Sequence, residues 1–142
     1  MADITSSVAQ KPIGKSGEGL GYWGSKKVTF VADGVSATGA HNVFTIPANS
    51  FVAEGYVVFT TASTSDGSAT VKFGNATLDY CGVVPVANCG SGDIFALSIN
   101  DKEDTDSGVG YSTSADTFDM TVATAAFTAG AFTIAVKIVD LI

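Results

Sequence analysis

The chain has 142 residues, 46% hydrophobic and 15% charged, with a net charge of −7. This composition fits one globular domain able to build a core without metal or disulfide staples, and it excludes a disordered chain. All seven cations are lysines and no arginine occurs, which argues against nucleic-acid binding, because phosphate and base contacts draw on arginine and on a basic surface.

The first 27 residues differ in character from the rest. They carry four lysines (Lys11, Lys15, Lys26, Lys27) against Asp3 and Glu18, a balance of +2, whereas residues 28–142 carry three lysines against twelve acids, a balance of −9. "MADITSSVAQKPIGK" has no apolar run of signal-peptide length, so synthesis in a cytoplasm without a targeting segment is expected. The division expected is a Gly/Lys-rich arm over residues 1–27 and a folded domain over 28–142.

Within the arm, "GKSGEGLGYWGSKK" (residues 14–27) imitates two nucleotide-binding loops. A P-loop needs a glycine five residues before Gly14, where Ala9 stands, and a helix after it, which "GEGLGYWG" cannot start. The G-x-G-x-x-G of Gly19, Gly21 and Gly24 has no strand before it and a strand-like segment after it, the reverse of the dinucleotide context. Both readings fail. The only Trp of the chain, Trp23, follows Tyr22 here. The pair either folds back beneath the domain or anchors the arm on a partner surface, where Trp and Tyr are favoured.

From Val28 on, the period is that of strands. "KVTFVA" (27–32) alternates and is turned by Asp33-Gly34, and "NVFTIP" (42–47) is stopped by Pro47, which cannot serve a central ladder. Ala48-Asn49-Ser50 makes a turn. "FVAEGYVVFTT" (51–61), bent at Gly55, is closed by "STSDGS" (63–68), and "ATVKFG" (69–74) returns as its expected hairpin partner. "TLDYCGVV" (77–84) and "IFALSIN" (94–100) follow, then the acidic loop "DKEDTDSG" (101–108), which lacks the order of a calcium-binding loop and reads as solvated.

The last third gives "GYST" (110–113), "TFDMTVAT" (117–124) and "AFTIAVKIVDLI" (131–142). In the final segment Phe132, Ile134, Val136, Ile138 and Asp140 share one face, and Ala131, Thr133, Ala135, Lys137, Val139 and Leu141 the other. "MTVATAAFTAGAFTIAV" (120–136) is too short for a spanning helix and, with Ala129-Gly130 inside it, reads as a hairpin. No stretch has helical period with caps. The expected fold is all-β: one jelly-roll-like β-sandwich of about eight to nine short antiparallel strands with an extended N-terminal arm.

Chemistry is sparse. His41 is the only histidine and is expected as a turn or interface residue. Cys81 and Cys89 lie eight apart and are expected as reduced, half-buried thiols, and they supply too few ligands for a metal site. No G-x-S-x-G elbow is present. The chain is therefore expected to be no enzyme and to need no cofactor or metal.

The segments "GAHNVFTIPANSFVAEGYVVFTT", "SATVKFGNATLDYC", "GDIFALSI" and "DTFDMTVATAAFTAGAFTIAVKIVDL" resemble the small all-β virion proteins of tailed bacteriophages, of the capsid decoration (cement) or head-fibre type. The resemblance covers roughly residues 39 to 141. It implies a β-sandwich subunit, often a homotrimer, on the outer capsid surface, binding the major capsid protein and clamping neighbouring coat subunits, with no nucleic-acid or membrane partner. The arm residues expected to contact that partner are Lys11, Lys15, Tyr22, Trp23, Lys26 and Lys27. The alternative is a carbohydrate- or receptor-binding β-sandwich module of a phage fibre, for which Tyr56, Tyr80 and Tyr111 are candidates.

Overall fold

The computed structural model of the chain describes residues 21–75, 79–98 and 113–141. Among the described residues, eight strands run in chain order as β1 (Gly21–Thr29), β2 (Gly39–Ile46), β3 (Ser50–Ser65), β4 (Thr70–Gly74), β5 (Val84–Pro85), β6 (Ile94–Ser98), β7 (Asp116–Ala123) and β8 (Phe127–Asp140). They form two four-stranded sheets, ordered β1-β8-β3-β6 and β2-β7-β4-β5, with all pairings antiparallel. The result is a β-sandwich, and among the described residues the helical content is a single 3-10 turn at Val86–Asn88.

The alternation that marks the strands in the sequence is their in-and-out pattern in the fold. On β8, Phe132, Ile134, Val136 and Ile138 are buried while Thr133, Ala135, Lys137 and Val139 face outward and are partly exposed. On β7, Phe118, Met120 and Val122 point inward. Phe30, Phe59, Phe73, Phe118 and Phe132 are fully buried. Each such side chain contributes about 1.5–3 kcal/mol by leaving water. Phe73 of β4 meets Phe132 of β8 edge-on with ring centres 5.5 Å apart, tying one sheet to the other.

Two of the register shifts show how the alternation slips. The register of β3 on β8 shifts between Val52 and Glu54, so Ala53 is the extra residue and the inward set passes from Val52 to Gly55, Val57 and Phe59. The register of β2 on β7 shifts between Asn42 and Phe44, so Val43 and Phe44 are both buried. An extra residue in one strand moves the following side chains to the opposite face.

The fold differs from the sequence expectation at four places. Residues 21–27, read as the end of the arm, are strand: β1 pairs with β8 over nine consecutive positions, from Gly21↔Val139 to Thr29↔Ala131. β3 and β4 are no hairpin, because β3 pairs with β8 and β6 while β4 pairs with β7 and β5 in the other sheet. Residues 120–136 are no hairpin either. β7 and β8 lie in different sheets, and Gly130 sits inside β8 rather than at the turn. Finally, of "TLDYCGVV" only a bridge at Asp79 and the start of β5 at Val84 are strand-like among the described residues. For β3–β4 and β7–β8, tight turn signals mark a reversal of the chain without stating which sheet the next strand joins. The acidic loop 101–108, residues 110–112, Lys11 and Lys15 lie outside the described residues.

Candidate functional site

The outward faces of the two sheets differ sharply. That of β2-β7-β4-β5 presents Asn42, Thr45, Lys72, Thr117, Asp119 and Thr121, with Lys72 paired to Asp79 at 3.4 Å. A pair this exposed contributes little, at most about 1 kcal/mol. The face of β1-β8-β3-β6 sets aromatic and apolar side chains among a few charged ones.

Register assembles that second face row by row. Trp23 lies opposite Lys137, and Lys137 opposite Glu54. In the next row Ser25 lies opposite Ala135, and Ala135 opposite Tyr56, which in turn faces Ala96. Beyond it come Lys27, Thr133, Val58 and Ile94. Across β8, the rings of Trp23 and Tyr56 approach to 6.2 Å between centres with planes only 10° apart. Tyr56 is 45% exposed and Ile94 64% exposed. Neither Glu54 nor Lys137 forms an ion pair among the described residues.

The fold therefore divides the arm residues singled out in the sequence. Trp23 and Lys27 point outward on β1 and belong to this face, whereas Tyr22 and Lys26 point inward and are buried. Because side chains alternate along a strand, neighbours such as Tyr22 and Trp23 cannot both face a partner. Of the tyrosines considered for sugar binding, Tyr56 is on the open face, Tyr80 is buried at 1% exposure, and Tyr111 lies outside the described residues. Glu54, Val58, Ile94 and Lys137 went unremarked as site residues. Their alternation assigns them to an outward face, but only register brings four strands' outward residues together.

The remaining candidates are structural. His41 sits inward on β2 with Nε2 donating to the Ala37 carbonyl at 2.8 Å, while its buried Nδ1 has no partner. Cys81 and Cys89 are buried and not bridged; burial, with a smaller contribution from Asp93, pushes the Cys89 thiol up to about 11, and its Sγ donates to the Pro85 carbonyl at 3.4 Å. Tyr80 stacks on Phe118 with ring centres 5.4 Å apart. Its hydroxyl is buried without a partner, and burial, then Asp116 and Asp119, hold the phenol well above its usual range. Among the described residues no three metal-ligating side chains cluster, and no helix is long and apolar enough to cross a membrane.

No protein-family model matches the chain, and no curated protein matches it by sequence. Solved structures do share its fold. A chain of the cyanophage Pam1 capsid asymmetric unit is 16% identical with a TM-score of 0.61, over 96% of this chain and 96% of that one. A chain of the acidic stable capsid structure of Helicobacter pylori bacteriophage KHP30 is 13% identical with a TM-score of 0.56, over 84% of this chain and 87% of that one. A chain of the capsid of Ralstonia phage GP4 is 11% identical with a TM-score of 0.55, over 94% of this chain and 92% of that one. At these identities the likeness is one of fold.

Proposed function

We propose that this chain is a structural, non-enzymatic protein of a bacteriophage virion: a capsid decoration (cement) protein that binds the outer surface of the head and clamps neighbouring coat subunits. The observation that carries the reading is the extent of the fold likeness. It takes in 84–96% of this chain and 87–96% of chains from three phage capsid structures, so the likeness extends over most of the chain rather than one part of it. The strand order of the two four-stranded sheets supports a jelly-roll reading, an architecture used by viral capsid domains.

In this reading the protein is made in the host cytoplasm and assembles as a homotrimer on the major capsid protein. Residues 1–20, which carry Lys11 and Lys15, lie along the coat surface, and Lys27 is presented beside them from the outward face of β1. Each contact is weak, and repetition over a symmetric lattice multiplies it by avidity. Co-sedimentation with expanded empty capsids tests this. The full chain pellets with capsids and removal of residues 1–20 abolishes pelleting. A full chain that stays in the supernatant would overturn the decoration reading, and unchanged binding after truncation would overturn the role of the arm.

A further inference from the structure

We propose that the outward face of the β1-β8-β3-β6 sheet binds a glycan chain at the Trp23–Tyr56 pair. Pyranose rings carry an apolar C–H face and a rim of hydroxyls, so they are recognised by aromatic faces flanked by hydrogen-bonding groups. Both parts are present. The two rings run within 10° of parallel with centres 6.2 Å apart, close to the length of one sugar unit along an extended chain. Around them, within two register rows, stand the Glu54 carboxylate, the Lys137 ammonium and the Ser25 hydroxyl. Glu54 accepts from sugar hydroxyls, Lys137 donates to them, and neither is engaged by an ion pair among the described residues.

The arrangement favours a sugar over a protein partner. A protein anchor projects a single large side chain into a complementary pocket. Here Trp23 and Tyr56 stack with one another across β8 on an open sheet rather than projecting as a single knob. The polar groups beside it are also at odds with a dry protein interface, since a buried, unmatched carboxylate or ammonium is costly. On a chain of net charge −7, this face carries Lys27 and Lys137 against Glu54, so an anionic polysaccharide is not repelled.

Trp23 is the chain's only Trp, so its fluorescence reports directly on the site. The experiment titrates the full-length protein with cellohexaose, chitohexaose and lipid-free bacterial O-polysaccharide. The expected result is a saturable change in Trp emission with at least one of them. In a parallel retardation assay, Tyr56→Ala and Trp23→Ala each weaken binding about tenfold or more, and Glu54→Gln weakens it with the melting temperature unchanged. Tyr56 is 45% exposed, so its truncation keeps the fold and separates a lost site from a lost structure. No response to any of the three sugars overturns the proposal, as does binding that survives both aromatic substitutions. Loss of capsid co-sedimentation in Tyr56→Ala with no sugar response assigns the face to the coat and also overturns it. Sugar binding without capsid binding supports the glycan site while sinking the decoration reading.

Discussion

Two side chains of the Tyr80 corner are held against their own chemistry. The Tyr80 hydroxyl is buried with no partner, and such an orphan costs about 1–3 kcal/mol. Tyr80→Phe keeps the stack on Phe118 and removes the orphan, so thermal denaturation is expected to show a melting temperature equal to or above that of the parent. A clear fall would mean that the hydroxyl is bonded in solution. Asp119 is raised above the usual carboxylate range, first by burial and then by Asp116, with a Thr117 hydrogen bond opposing. The folded carboxyl thus holds its proton more tightly than the unfolded one. Stability falls as pH rises through the interval between the ordinary value and the raised one, and stays lower above it. Asp119→Asn is expected to stabilise at neutral pH, and the gain should shrink as pH drops through that interval. A gain independent of pH would show that ionisation of Asp119 does not matter.

At the scale of elements, the strand ends and edges carry the devices that specify pairing. Gly130, inside β8, has φ +129°, and a Cβ there would stand 2.9 Å from both Cα and Cβ of Ser63. Its carbonyl takes the Phe30 N–H at 3.1 Å, extending the β1–β8 ladder past Thr29. Gly130→Ala combines backbone strain with a clash against a neighbouring strand, so a cost of about 2–4 kcal/mol is expected. Gly34→Ala, at φ +73° with open space around it, should cost only about 1 kcal/mol. Equal midpoints in urea denaturation for the two variants would contradict this account. At the open edge of the first sheet, β1 turns Lys26 inward, where it is 8% exposed. A charge inside an edge strand discourages a second chain from pairing there.

For the whole molecule, the strand status of residues 21–27 decides where a truncation is harmless. Removing residues 1–20 leaves every described pairing of β1 with β8 in place, so the melting temperature should stay within a few degrees of the full chain. Removing residues 1–27 strips seven of the nine paired positions from β1 and bares the edge of β8, whose inward residues form much of the core. That variant is expected to melt at least about 10 °C lower or to aggregate. If both truncations behave alike, β1 is not an integral part of the sheet in solution.

Much of the architecture was legible in the residue order, because period-2 alternation and turn chemistry are local. The inward set Phe132, Ile134, Val136 and Ile138, the arrest of β2 at Ile46 just before Pro47, and the positive φ of Asn49 in the Ala48–Ser50 turn all follow from neighbouring residues. "GYWGSKK" was not legible as strand, since its glycines weaken the pattern and its hydrogen bonds come from β8, over a hundred residues away in sequence. The open face was hidden for the same reason. Trp23 and Tyr56 belong to strands separated by β8, and nothing in the sequence says that they sit in adjacent rows across it, opposite Lys137 and Ala135. By itself the sequence determined that this chain is strands and turns around an apolar core. Which strands share a sheet, and hence which aromatic residues meet in water, was decided by long-range pairing, because backbone hydrogen bonds join strands without regard to their distance along the chain.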